Sequence, residues 1–325
     1  MGSRANPIIL LPLRGLAWSA RRGSVLLAVG IFGGILCPPL AAAFKGFVTP
    51  NVLLMTTLVL LRVDVARTLG HLRRPGRVVV IVALQMLVCP VLTWAAVTGL
   101  PLDPGIKAGV VIFATGCAAT SAAAFARLVR LDADLSLVGT LATLALVPVT
   151  APPIALWLLG VDLSIGAVAF MGRLLVVVGL PLLVSLALRR VIGPARLADW
   201  GGAVDGALVW LVVFYGFAVM DGLAPRLASD PGWVVQALVA AFAVDYGLNA
   251  VTTLLLARWG LRDAATAGLM SGNRNMALFL AVLPAGTDPR ITLFFGVCQI
   301  PLFLSPFLLG PILRKGRWNR QPAAR

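Results

Sequence analysis

The sequence predicts an all-α polytopic membrane protein: ten transmembrane helices in two inverted five-helix repeats, with helices 4 and 9 broken. Three observations predict it. Of the 325 residues, 60% are hydrophobic and 12% charged, where a soluble domain carries about a quarter charged residues; mean hydropathy is +0.98. The apolar residues fall into runs near the roughly 20 residues that a helix needs to cross a bilayer. Two runs, at corresponding places in the two halves, carry small and polar residues at their centres.

In chain order the runs lie at about 24–44, 47–61, 78–99, 105–126, 133–159, 165–188, 203–224, 232–257, 264–284 and 291–313. Turn chemistry separates them. Arg73-Arg74-Pro75-Gly76 precedes the third run, Pro101-Leu102-Asp103-Pro104-Gly105 the fourth, Asp230-Pro231-Gly232 the eighth and Asp288-Pro289 the tenth; Gly193-Pro194 follows the sixth. No linker marks a second domain. Residues 1–325 therefore read as one transporter domain, with a first repeat at about 24–159, a second at about 165–313, and tails at 1–23 and 314–325. Five spans per half is an odd number, so the halves insert in opposite orientations. The N-terminal run 9–18 is interrupted by Pro12 and Arg14 and lacks a clean cleavage site; it reads as interfacial rather than as a signal peptide.

The formal charge of +15 is a matter of topology. On this span assignment 21 of the 27 Lys and Arg fall on one side of the membrane, and Lys45, Lys107, Arg226 and Arg290 on the other. Arg173 and Arg274 lie inside spans. Such a bias places the basic side, and with it both termini, in the cytoplasm, and predicts a multi-pass protein of the inner membrane. The basic surface faces anionic lipid rather than nucleic acid. Cys37, Cys89, Cys117 and Cys298 sit in apolar runs, and the single histidine, His71, lies in a basic loop, so neither a disulfide framework nor a zinc site is expected. The chain has no glutamate and no H-E-x-x-H, and Ser/His or Ser/Lys arrangements at membrane depth are lacking. No enzyme activity and no cofactor are expected.

The candidate site starts from the ninth run, where Ser271-Gly272-Asn273-Arg274-Asn275 interrupts an apolar segment. A charge at that depth costs several kcal/mol unless it is paired, hydrated or lining a cavity. The fourth run has its own interruption, Thr115-Gly116-Cys117-Ala118-Ala119-Thr120-Ser121. Paired interruptions mark the substrate site of inverted-repeat transporters; a small-residue packing face is the alternative for the fourth run. Asp245 lies at a depth similar to Arg274, with Asn249 one turn on along the same helix face. An Asp245–Arg274 pair either holds the bundle or faces the transport cavity. Ser136, Thr140 and Thr143 share a face of the fifth span, where hydroxyls either satisfy neighbouring backbone or line an ion site. Gln85 is central in the third span, Gln299 lies in the tenth, Arg173 is placed to snorkel, and Asp205 and Asp221 lie near the ends of the seventh.

A longer pattern runs from 75 to 153: Arg74-Pro75, Val78-Val79-Val80, Leu84-Gln85-Met86 and Cys89-Pro90, then Gly109, Gly116-Cys117 and Thr120-Ser121, then Leu135-Ser136-Leu137-Val138 and Thr140. It resembles the bile acid:sodium symporter family, and the chain is identified as a divergent bacterial member. Gly272-Asn273-Arg274-Asn275 is similar to that family's ninth-helix acidic-x-Gly-x-Gln-Asn motif. The resemblance implies a panel of spans 1, 2, 6 and 7 and a core of spans 3, 4, 5, 8, 9 and 10. It implies that helices 4 and 9 cross, with substrate near the crossing and sodium ions behind it. Gln85, Ser136 and Thr140 match sodium-site positions; Thr120, Ser121 and Asn275 match the crossover.

The departures are chemical. The family's ninth-helix glutamate falls on Met270, its glutamine on Arg274, and its fourth-helix Ser-Asn pair on Ala122-Ala123. Sodium loses its carboxylate and two further oxygen ligands, and a fixed cation stands nearby. The expected substrate-binding residues are Thr120, Ser121, Asn273, Arg274 and Asn275, and the ion-coupling residues Gln85, Ser136, Thr140, Asp245 and Asn249. The expected function is secondary transport of a small organic anion, bile-acid- or sterol-like or another carboxylate. It is sodium-independent or uses an altered coupling ion, with a proton as the other candidate. The half-helix N-termini at the crossing are expected to add positive potential for a carboxylate. Two other readings are a metalloid exporter using Cys117, and a non-transporting sensor or scaffold on the same fold.

Overall fold

A computed structural model describes residues 15–16, 18–19, 23–63, 75–160, 166–284 and 286–314. His71, Arg73, Arg74, most of the N-terminal run and the C-terminal tail beyond Arg314 lie outside them. The described residues form helices α1 (Gly23–Leu36), α2 (Pro38–Lys45), α3 (Val48–Arg62), α4 (Pro75–Thr98), α5 (Pro104–Thr115), α6 (Ala122–Leu128), α7 (Ala133–Leu159) and α8 (Ala167–Ile192). They continue as α9 (Pro194–Asp199), α10 (Gly201–Val219), α11 (Leu223–Ser229), α12 (Pro231–Leu255), α13 (Leu261–Gly272), α14 (Met276–Val282), α15 (Pro289–Val297) and α16 (Gln299–Arg314). The protein is a polytopic helical membrane protein. Among the described residues six helical stretches are long and apolar enough to cross a membrane, and a seventh counts if α2 and α3, bent by 73°, form one span.

Of the other apolar runs, the first, fourth and ninth are broken, and the second is the unbroken but short α3, of 15 residues. The first run ends at Leu36 instead of continuing to 44. Cys37 precedes Pro38-Pro39 and takes φ −127°, ψ 71°. Neither proline has an N–H to give, and a proline disfavours the helical conformation in the residue before it. Hydropathy alone does not see that break.

The chain divides into two compact units. The first comprises Met1–Asp64 and Val176–Ala228; the second comprises Val65–Leu175 and Ser229–Arg325. The boundary between Leu175 and Val176 falls inside α8, the helix of the sixth run. In the first unit α1 lies against α10 through glycines. A Cβ at Gly30 would stand 2.8 Å from the Val213 carbonyl oxygen, and one at Gly34 2.8 Å from that of Phe217. Glycine spaced by four residues allows such backbone approach in apolar surroundings. Asp221 and Asp205 sit in exposed ion pairs, with Lys45 (2.9 Å) and Arg62 (3.0 Å) respectively. Exposed pairs of this kind contribute at most about 1 kcal/mol each.

In the second unit four loop aspartates are helix caps. Asp103 accepts from the Gly105 and Ile106 amides, Asp132 from those of Asp134 and Leu135, Asp230 from Trp233, and Asp288 from Arg290. Each satisfies N–H groups that the first helical turn leaves without partners. Arg290 then bridges Asp103 (2.9 Å) and Asp288 (2.7 Å), tying the start of α5 to that of α15. Arg77 pairs with Asp263. Arg173 donates to the Val282 carbonyl, 3.1 Å away at the end of α14, so it caps a helix.

Candidate functional site: two broken helices and a buried arginine

Two helices of the second unit break at facing points. After α5, residues 116–121 leave the helix; after α13, residues 273–275 do so. The two extended stretches run antiparallel, bridged between Ala118 and Arg274. The Ala119 amide donates to the Asn273 carbonyl (2.8 Å) and the Asn275 amide to that of Cys117 (2.9 Å). Non-helical backbone at membrane depth persists only where its polar groups find partners in protein or water. These two bonds are part of that supply. Thr143 of α7 adds another, since its hydroxyl oxygen accepts from the Ala118 amide at 3.2 Å.

Arg274 is fully buried between these strands. Its Nε donates to the Ser271 carbonyl (2.7 Å), one Nη to that of Gly116 (2.6 Å) and the other to that of Gln85 (3.2 Å). All three acceptors are carbonyls that helix irregularities release. Ser271 would bond the Asn275 amide in a continuous helix, but that amide serves Cys117. Gly116 is extended, at φ −65°, ψ 158°, beyond the end of α5. Gln85 lies in a π-helical turn, Leu84–Val88, where the Cys89 amide bonds the Leu84 carbonyl. The next residue is Pro90, which has no N–H, so the Gln85 carbonyl has no backbone donor ahead of it. The guanidinium thus spans carbonyls from α4, the α5–α6 break and the end of α13. It also stands at the C-terminal, partially negative ends of two twelve-residue helices.

The direct Asp245–Arg274 pair expected from depth does not form. All three guanidinium nitrogens serve carbonyls, and neither Asp245 carboxylate oxygen has a hydrogen-bond partner. Asp245 is fully buried beside the glycine end of α13, where a Cβ at Gly272 would stand 2.7 Å from its Oδ1. Asn249, half-buried one turn on, faces Gly268, where a Cβ would stand 3.1 Å from its Oδ1. Gly268 and Gly272 let α13 lie directly on the polar face of α12. The Gly268-x-x-x-Gly272 spacing is the sequence signal for this packing, and the sequence reading passed over it.

The remaining candidates divide. Asn273 is buried; its side-chain amide donates to the Leu269 carbonyl (3.0 Å), and its Oδ1 accepts from Ser305 (3.1 Å). Asn275 joins the crossover through its backbone amide. Thr120 and Ser121 are half-buried at the outgoing side of the first break. The Gln85 side chain and the Ser136 and Thr140 hydroxyls are buried without hydrogen-bond partners. Thr143 bonds backbone instead, giving to Gly139 at 3.0 Å. Met270, at the position of the family glutamate, is buried against Gly139, so a thioether fills that place. Half-helix N-termini contribute less than expected, because α6 and α14 have only seven residues each.

A family profile described as the Sodium Bile acid symporter family matches residues 49–218, over half of the chain. The chain belongs to that family. The match runs from α3 into α10 and includes the first break, the π-helical turn and the α7 hydroxyls. It stops short of Arg274. Sodium bile acid symporter family proteins are transporters rather than enzymes, and this member is consistent with that role. No curated protein matches the chain.

Proposed function

We propose that the protein is a secondary active transporter of a small organic anion, working by alternating access and without sodium. The substrate class is a carboxylate, bile-acid- or sterol-like or smaller. The proposed architecture is ten spans in two inverted repeats, in the inner membrane, with both termini cytoplasmic. Arg274 is the observation that carries the reading. A permanent cation enclosed at the crossover repels a second cation and favours an anion nearby. Met270 in place of a carboxylate supports the same conclusion, since a hard cation needs several oxygen ligands that displace its water. Thr120, Ser121 and Asn275 are the proposed substrate contacts, and Asn273 and Arg274 hold their backbone.

Uptake of radiolabelled cholate into proteoliposomes tests this. The expected result is uptake that is unchanged when choline replaces sodium. Met270→Glu combined with Arg274→Gln is expected to bring in sodium stimulation of several-fold. Uptake by the wild-type chain that requires sodium would overturn the reading. Cholate binding without flux would favour the sensor or scaffold. The metalloid reading rests on Cys117, which is buried in the first break. Among the described residues no group of three His, Cys, Asp or Glu converges as a soft-ion site would require.

A further inference from the structure

The centre of the second unit holds one buried cation and one buried carboxyl with no direct bond between them. Arg274 is satisfied by neutral carbonyls. Asp245, at mid-span in α12, has no hydrogen-bond donor on either oxygen. Among the described residues few titratable groups face it. Arg274 stands beyond the end of α13, Cys298 at the end of α15, and Tyr246 next to it on α12. From α16 the nearby polar group is Ser305, which is not titratable. Arg262 and Asp263 begin α13 at its opposite end, Lys107 lies in the first turn of α5, and Arg258 lies beyond the C-terminal end of α12. Among the described residues the charge ledger at the crossover therefore contains Arg274 and Asp245 and sums to zero when both are ionised.

Resting on the anion-transport reading above, we propose that Asp245 is a proton site and that one proton enters with each anion. An anion brought to the crossover competes with Asp245 for the field of Arg274. The core then carries one surplus negative charge in a low-dielectric setting, which is costly. A hydronium ion in the water on the entry side gives its proton to an Asp245 carboxylate oxygen: one O–H bond of hydronium breaks, leaving water, one forms on Asp245, and neutrality is restored. When the anion leaves on the other side, Arg274 again draws the ionised form, and the proton returns to water there. The cycle is electroneutral for a monoanion. The absence of a hydrogen-bond donor at Asp245 matters, since a donor would hold the ionised form irrespective of substrate. Gly272 matters for the same reason: it brings bare backbone, and no side-chain donor, against the carboxyl.

The test is calorimetry of cholate binding to the purified full chain in two buffers of different ionisation enthalpy, at pH values where cholate is ionised. The wild-type chain is expected to take up about one proton per cholate, with affinity falling by as much as about tenfold per pH unit as pH rises. Asp245→Asn, fixed in the neutral form, is expected to bind cholate with no proton uptake and a flat pH profile. Cholate binding to the wild-type chain without proton uptake would overturn the proposal while leaving anion transport standing. If cholate does not bind at all, the bile-acid form of the transport reading fails, and infrared difference titration decides the proton site by itself. A carboxylic-acid band that titrates in the wild-type chain and is missing in Asp245→Asn supports it; no titrating band overturns it. The wild-type measurements stand even if the variant fails to fold.

Discussion

Arg274→Ala is expected to cost about 3–5 kcal/mol of stability, read as a large fall in the thermal midpoint of the purified protein in detergent. The reasoning is an accounting of acceptors. The guanidinium satisfies carbonyls of Ser271, Gly116 and Gln85, and no backbone amide is placed to replace it at any of them. Each orphaned buried acceptor costs about 1–3 kcal/mol, and water entering the vacated space returns part of that. Relief from burying a charge works in the opposite direction. It is smaller here, because the ends of α5 and α13 present their negative poles to the guanidinium. Arg274→Lys separates geometry from charge. A single ammonium keeps the charge but cannot span three carbonyls on three segments, so it is expected to recover only about half of the loss. Full recovery by lysine would mean that charge alone matters.

Gly272→Ala is expected to cost about 1–3 kcal/mol, at the upper end of that range. The added methyl would stand 2.7 Å from Asp245 Oδ1 and press on the Asp245 backbone carbonyl, which cannot rotate away. Relief requires α13 to move off α12, and that displaces Arg274 two residues along the chain. Gly247→Ala is the internal control on α12. Nothing lies within 4 Å of a Cβ there. That substitution is expected to be neutral or to stabilise by up to about 1 kcal/mol, through helix propensity. Thermal unfolding of the two variants side by side checks both signs.

The positions of the long helices were legible because hydropathy and loop punctuation report them directly; the break at Cys37 was not. Asp103, Asp230 and Asp288 each precede a proline, and each caps the helix that follows. The break at 273–275 was legible because polar residues interrupt an apolar run. The partners of Arg274 were not. A backbone carbonyl carries no residue code, and it becomes available only when a helix elsewhere departs from its regular ladder. At Gln85 that departure combines a π-helical turn with Pro90; the proline is visible in sequence, and the turn is not. Depth placed Asp245 level with Arg274 but gave no rotation about either helix axis. The expected pair therefore became two separate groups. The GxxxG face of α13 is visible in the sequence, but Gly272 belongs also to the Ser271–Asn275 interruption, which hides its packing role.

The three acceptors of Arg274 belong to α4, to the first break and to the end of α13. Unwound backbone is usually the compliant part of a helix, able to stretch or slip by a residue. Here one planar, five-donor side chain is pinned at three corners, so slippage of either strand breaks bonds on segments distant in sequence. The crossover behaves as a rivet. The place where two helices come undone is tied at three points, so strain applied to one broken helix passes to α4 and to the other broken helix together.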